Sequence, residues 1–376
     1  MRFTISSKEL LARVQTVSRV INKKNTNATL NNIKFEIQED GMVSMTAACE
    51  DMTAQTSYQC DTEGTGAFTV SAKLLNEALK EIAEQPICFM VNEDTMEGGV
   101  SYMNGVCKFP CESADIFPTI SEDEPYIHTL TMDATAIDKG LAATAYAVGN
   151  DDIRPIMNTV HFDIDEDGVV MVASDGHKLI RYSSMNPTET EPASFSMPSK
   201  MVGVVRGIMG KVQNKVVSLE FNDRQVRVTA GDYVLVGMLT EGRYPNYNSV
   251  IPQDLPFQAM IERQAFISAL RRVMVFANDA SGLIALKIED NRMTLNAEDF
   301  EFNSNAEESV ACQYDGERIR IGFNGNQLLN VLSNINADEV LVKLIDATRP
   351  GIFTPSNGME NEELLALLMP MLLMDE

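Results

Sequence analysis

The chain has 376 residues, 44% of them apolar, with a net charge of −24, six cysteines and three histidines. Its length suits two or three domains with self-sufficient cores. Sparse cysteines without a CxxC pair point to free thiols in a reducing cytoplasm over a disulfide frame. The start, Met1–Ser6, has no apolar signal core, the longest apolar stretch, Leu364–Met374, is too short to span a bilayer, and the net charge taken alone argues against a polyanionic partner.

The elements recur in chain order. A strand at Phe3-Thr4-Ile5 precedes a helix over Ser7–Ile21, with Leu10, Leu11, Val14, Val17, Val20 and Ile21 at helical spacing. The segment Asn31–Ile37 then reads as a strand entering the turn Glu39-Asp40-Gly41, and Phe68-Thr69-Val70 precedes a second helix over Lys73–Ile82. The same grammar restarts at Leu130-Thr131-Met132, with a helix holding Ile137, Leu141 and Ala145, the strand Asn158–Ile164, the turn Glu166-Asp167-Gly168, then Phe195-Ser196-Met197 and a helix over Lys200–Met209. A third round runs from Ala259-Met260-Ile261 and a helix with Phe266, Leu270, Val273 and Met274, through Ile284–Glu289 and Asp290-Asn291, to Ile319-Arg320-Ile321 and a helix over Gln327–Ile335.

The Asn31 and Asn158 blocks are offset by 127 residues at every position. A period that long is too large for a solenoid unit and matches a whole small domain. The sequence therefore predicts an α+β chain of three tandem copies, at 1–124, 125–254 and 255–376, each with two helices on antiparallel sheets. The polar, proline-bearing joints are Ser121–Pro125 and Val250–Pro256. Three copies of one domain favour a scaffold over an enzyme with a single site.

Charge is segregated along the chain. The segments Ser6–Lys24, Ser71–Glu84, Asp133–Gly149, Pro198–Lys211, Glu262–Ala277 and Asn324–Asn336 hold 14 of the 30 basic residues but only 7 of the 54 acidic ones. Helices with solvated faces tolerate such residues for no special reason. If the six line one surface, they form a track for phosphates within an acidic exterior.

Motifs for chemistry are few. Ser174-Asp175-Gly176-His177-Lys178-Leu179 invites a hydrolase reading, but the serine lacks a G-x-S-x-G turn and no histidine pair has metal-ligand spacing, so the local reading is a structured turn. Gly242-Arg243-Tyr244-Pro245-Asn246-Tyr247 reads as a proline-fixed packed corner. The apolar tail, Leu364–Met374, reads as a last strand buried in the third domain, with Pro370 barring a ladder donor at its edge and methionines suited to an adaptable apolar contact.

Taken in order, the Ser174–Leu179 block, Gly242–Tyr247, Ile321–Asn324 and Met369–Leu373 resemble the signatures of the bacterial DNA polymerase III β subunits, the sliding clamps, and the resemblance covers the whole chain. It implies a head-to-tail homodimer closed into a six-domain ring, with helices lining a hole around duplex DNA and sheets outside. Such a ring slides without sequence choice, tethers the replicative polymerase, catalyses nothing and needs no cofactor or metal.

The resemblance further implies that the polymerase catalytic subunit, the clamp loader, other polymerases and repair proteins dock short linear motifs in an apolar pocket. That pocket would be built from Met157, Ser174, Gly176, His177, Lys178, Leu179, Pro245, Val250, Thr348, Pro350, Leu367, Met369, Pro370, Met371 and Leu373. Lys24, Lys73 and Lys200 fall where the family approaches DNA. The ring joint would set Cys107, Lys108 and Phe109 of one chain against Val275 and Phe276 of the next. Leu372 and Ser249 stand where basic residues are common, and Pro155 replaces an aromatic near the DNA-facing loop. The alternatives are a three-domain hydrolase using Asp175 and His177, or a monomeric interaction scaffold.

Overall fold

The computed structural model describes residues 1–373 except Lys23, Thr26, Thr119, Asp123, Gln213, Asn214 and Met359. Lys23 of the first basic helix, Asp123 of the first joint and Met374 of the apolar tail therefore lie outside the described residues. All six expected helices are present: α1 (Ser7–Val17), α2 (Ala72–Lys80), α3 (Ala134–Thr144), α4 (Ser199–Met209), α5 (Arg263–Met274) and α6 (Gly325–Asn334).

Each helix begins where a strand ends. The N-terminal N–H groups of four helices are met by side chains: Ser71 accepts from Leu74, Asp133 from Thr135, Glu262 from Gln264 and Ala265, and Asn324 from Gln327. In α1, Leu10, Val14 and Val17 are fully buried at one-turn spacing. This helix stops short of Ile21 because Ser18–Val20 tightens into a 3-10 turn, closed by the Ile21 N–H on the Ser18 carbonyl at 3.1 Å.

The repeated strand is a hairpin arm in all three copies. Asn32–Ile37 pairs with Met42–Ala48, Thr159–Asp165 with Gly168–Ser174, and Leu283–Glu289 with Arg292–Asp299. In the third copy Asp290 and Asn291 both take left-handed φ, 49° and 59°. A two-residue hairpin turn needs that conformation, and Asp and Asn tolerate it well.

The compact units do not follow the repeat. One holds residues 1–139 and 197–241, the other 140–188 and 242–376, with short flanking pieces of 189–196 divided between them. The strands of the central repeat are thus shared out. In the first unit a nine-stranded sheet joins Asn32–Ile37, Met42–Ala48 and Met52–Gln59 to Tyr233–Met238, Gln225–Ala230 and Val216–Phe221. The seam is the antiparallel pairing of Met52–Thr56 with Tyr233–Gly237. A separate five-stranded sheet runs Asp61–Glu63, Arg2–Ser6, Pro86–Asn92, Glu97–Tyr102, Gly105–Pro110. Phe3, Phe35, Phe68 and Phe89 are buried together in this unit, with successive ring centroids 5.1 to 6.0 Å apart.

In the second unit a twelve-stranded sheet joins Thr159–Asp165, Gly168–Ser174 and Lys178–Ser184 to the strands of the third repeat. Its seam is a seven-residue antiparallel ladder from Lys178↔Leu368 to Ser184↔Glu362. That pairing brings the end of the chain to the Ser174–Leu179 turn.

Candidate functional site

The turn after Ser174 is wired by its own side chains. The Asp175 carboxylate accepts from the N–H groups of His177 and Lys178, both at 2.9 Å, and bonds the Lys178 ammonium. Ser174 Oγ donates to the Lys178 carbonyl at 2.8 Å and accepts from the Gly176 N–H at 3.1 Å. Gly176 takes φ +88°, the left-handed region that lets the chain reverse. Burial alone would push the Asp175 carboxyl upward, but the Lys178 ammonium and the two N–H groups outweigh it and hold it below the usual carboxylate range. Asp175 bonds the backbone of His177, so the hydrolase alternative has no Asp–imidazole pair in this turn to build on.

One face of the second unit's sheet carries a small apolar cluster. Val172, Leu179, Ile352, Leu365 and Leu367 are buried with Tyr244 and Tyr247. These strand residues share a face because side chains alternate along each strand, and the ladders set Leu179 opposite Leu367 and Leu367 opposite Ile352. The Gly242–Tyr247 segment folds over this face. Its Tyr247 hydroxyl donates to Asp163 Oδ2 at 2.6 Å, and the Tyr244 ring stacks on the His161 imidazole with centroids 4.5 Å apart and planes 6° from parallel.

An apolar cavity of about 210 Å³ opens between this segment, the Ser174 turn and the chain end. Met157, Ser174, Gly176, His177, Lys178, Leu179, Pro245, Val250, Leu367 and Met369 line it, ten of the fifteen residues expected. Arg154, Tyr244, Asn246 and Tyr247 line it too and were not expected individually. The two tyrosines lie in a motif whose local reading was only a packed corner.

The other five expected residues are not in the lining. Thr348 and Pro350 belong to the turn before strand Gly351–Pro355, where Asp346 accepts from the Thr348 and Arg349 N–H groups. The last strand is Glu362–Leu368, so Pro370 lies just beyond it and not within it. Beyond it, Met371 donates its N–H to the Gly322 carbonyl at 2.8 Å and Leu373 packs against Gly322, so both are engaged by strand Ile319–Asn324. Met369 and Leu372 remain 40% and 85% exposed.

The three lysines expected at DNA lie in the first unit. Lys24 and Lys73 are exposed. Lys200 is tied up by Asn22 Oδ1 at 2.6 Å and Cys49 Sγ at 3.2 Å, with Asp51 at 3.9 Å. Some helix charge is similarly spent inside the protein. Arg13 is largely buried over the Tyr58 ring and bonds Glu9, Thr56 and Asp232. The helix tally in the sequence therefore overstates the charge available to a ligand.

Of the residues expected at a ring joint, Cys107, Lys108 and Phe109 fall on a sheet edge, whereas Val275 and Phe276 lie just past the end of α5. Gly105–Pro110 is the edge strand of the five-stranded sheet. Lys108 points outward and pairs with Glu97, while Phe109 is turned into the protein's own core against Phe89 at 5.5 Å. In the second unit, among the described residues, strand Ser304–Gln313 pairs along Ser304–Ala311 with one neighbour only, and its other neighbour begins at Cys312. Arg272 of α5 bonds Glu308 of that strand, and just beyond it Val275 and Phe276 are 78% and 42% exposed. Among the described residues no cluster of His, Cys, Asp or Glu could hold a metal ion, and no helix is long and apolar enough to cross a membrane.

Fold and site together define a repeated α+β scaffold with a small apolar cavity beside its last strand. Family models for the DNA polymerase III beta subunit match in order: the N-terminal domain at residues 1–103, the central domain at 131–246 and the C-terminal domain at 248–372. The beta sliding clamp of Synechococcus elongatus is 27% identical, covering 94% of this chain and 96% of that one, and that of Bacillus subtilis is 24% identical, covering 98% and 99%. In fold, the chain superposes on the DNA polymerase III beta subunit of Thermotoga maritima with a TM-score of 0.91 at 22% identity, covering 99% of this chain and all of that one. A Pseudomonas aeruginosa sliding clamp solved bound to griselimycin gives 0.91 at 23%, with the same coverage. The chain belongs to the DNA polymerase III beta subunit family, the beta sliding clamps, which are processivity factors and not themselves polymerases.

Proposed function

We propose that two copies of this chain close head to tail around duplex DNA, and that the cavity beside Met369 receives short hydrophobic peptide motifs of a replicative polymerase, a clamp loader and repair proteins. The observation that carries the peptide reading is the cavity itself. It is apolar, walled by two tyrosines and floored by leucines, with Met369 at its rim to adapt to different anchors.

The ring reading is supported by two unpaired sheet edges, Gly105–Pro110 and Ser304–Ala311, which can pair as a heterologous joint whose rotation closes. The joint would then run through backbone and through Lys108, Val275 and Phe276, with Cys107 beside them and Phe109 supporting from inside. The repeat boundaries, 1–124, 125–254 and 255–376, would give six similar domains around the hole. Lys24 and Lys73 are the exposed lysines for DNA, and Lys200 would have to leave its partners to join them. The setting is the cytoplasm.

Retention on nicked circular DNA with loss after linearisation, together with a dimer mass in sedimentation, tests the ring. A monomer mass, or equal retention on both DNAs, would defeat it.

A further inference from the structure

His161 belongs to the repeated strand and to none of the chemical motifs, yet it sits directly behind the cavity. It is 8% exposed on strand Thr159–Asp165. Nδ1 lies 2.9 Å from Ser196 Oγ, and Nε2 lies 3.2 Å from Asp163 Oδ1. His161 and Asp163 share one face of the strand because they are two residues apart. The other carboxylate oxygen of Asp163 accepts from the Tyr247 hydroxyl at 2.6 Å, and the His161 ring carries Tyr244 face to face. One imidazole thus supports both tyrosines of the cavity wall, Tyr244 by stacking and Tyr247 through Asp163.

The geometry assigns to His161 the role of a positioning residue for peptide binding, holding Tyr244 and Tyr247 in the orientation that shapes the cavity without touching the peptide itself. This rests on the reading of the cavity as a peptide site. A buried polar chain of this kind fixes its members only when each is satisfied. Ser196 and Asp163 satisfy both imidazole nitrogens. Asp163 is itself held below the usual carboxylate range: burial would raise it, and the hydrogen bonds from His161 and Tyr247 outweigh burial. The carboxylate that His161 orients is therefore the charged form, the stronger acceptor for a tyrosine hydroxyl. Arg181, beside Tyr247, is neutralised by Glu363 at 2.8 Å and leaves Asp163 to the histidine and the tyrosine.

The test uses the full-length protein and a fluorescently labelled pentapeptide with leucine and phenylalanine anchors. His161→Phe keeps a flat ring under Tyr244 and removes both hydrogen bonds. Asp163→Ala removes the bridge, and Asp163→Asn keeps an acceptor for Tyr247 while its amide NH2 donates to Nε2, which accepts once the imidazole proton sits on Nδ1 and is donated to Ser196 Oγ. With thermal midpoints checked, H161F and D163A, which each remove two hydrogen bonds behind the cavity, should weaken peptide binding about five-fold, because only the lost orientation of Tyr247 reaches the peptide, while D163N stays within about two-fold of the parent. In a Tyr247→Phe background the effect of H161F should vanish, because the path it acts through is gone. A merely structural role would give additive effects and no rescue by asparagine. If the parent binds the peptide and H161F binds it equally well, or if the H161F and Y247F effects add, the positioning role is overturned. If the parent itself does not bind the peptide, the peptide-site reading falls and this assignment falls with it.

Discussion

The backbone N–H of Met369 donates to the carbonyl oxygen of His177 at 2.8 Å, although the two residues are nearly two hundred positions apart in sequence. This bond continues the ladder of Lys178–Ser184 with Glu362–Leu368 by one rung, and it fixes the rim of the cavity to the turn that forms its other side. The chain end is therefore part of the wall and not an appendage to it.

Met369→Lys should weaken binding of a leucine- and phenylalanine-bearing peptide by about ten-fold or more, since an unpaired ammonium would have to share an apolar cavity with the ligand. Met371→Lys should cost clearly less, because Met371 is engaged at Gly322 and does not line the cavity. Fluorescence polarisation with each variant, after confirming an unchanged melting curve, decides the order. The reverse order would move the site along the tail.

At the joint, Val275→Asp with Phe276→Asp should lower the dimer fraction in sedimentation while leaving the thermal midpoint of the protomer near that of the parent, because both side chains are exposed. Phe109→Asp is a different experiment. Phe109 is 5% exposed against Phe89, and a charge there should cost roughly 3–5 kcal/mol of fold stability. A Phe109 variant that melts like the parent yet runs as a monomer would show that its side chain faces the partner after all.

Neutralising Lys24 and Lys73 should reduce the salt dependence of DNA binding by up to about one unit of slope for each phosphate that is no longer neutralised. Lys200→Gln should change it less, since that ammonium already bonds Asn22 and Cys49. Titrations at several salt concentrations check this. An unchanged slope in the Lys24 and Lys73 double variant would remove both from the DNA path.

Asp175 makes the fold pH-dependent in a stated direction. Its folded carboxyl titrates lower than an unfolded one, so its contribution to stability is present above the unfolded value and is lost as pH falls through the folded one. Acidification below about pH 4 should therefore lower the melting point of the parent more steeply than that of Asp175→Asn, which lacks the charge at every pH. Parallel acid limbs for the two proteins would show that the turn is indifferent to this carboxylate.

Much of this architecture was legible in order along the chain. The 127-residue period, the six strand-to-helix starts and the reversal at Gly176 follow from local spacing and residue type, and each is where the sequence places it. Hydrophobic period and turn chemistry act over a few residues, so a single chain carries them in plain view. The sequence alone could not say that the central repeat divides its strands between two compact units, because an open strand edge bonds to whatever backbone reaches it and backbone N–H and C=O groups are the same in every residue. Nor could it say which face of Gly105–Pro110 is the core, which turned Phe109 inward, or that Arg13 of α1 is paired with Asp232 and Lys200 of α4 is held by Asn22. His161 was least visible of all. On its strand it reads as an ordinary polar-face residue, and only the later fold-over of Tyr244 and Tyr247 turns it into a support, because stacking and hydrogen bonding depend on distances of a few ångströms that sequence separation does not encode.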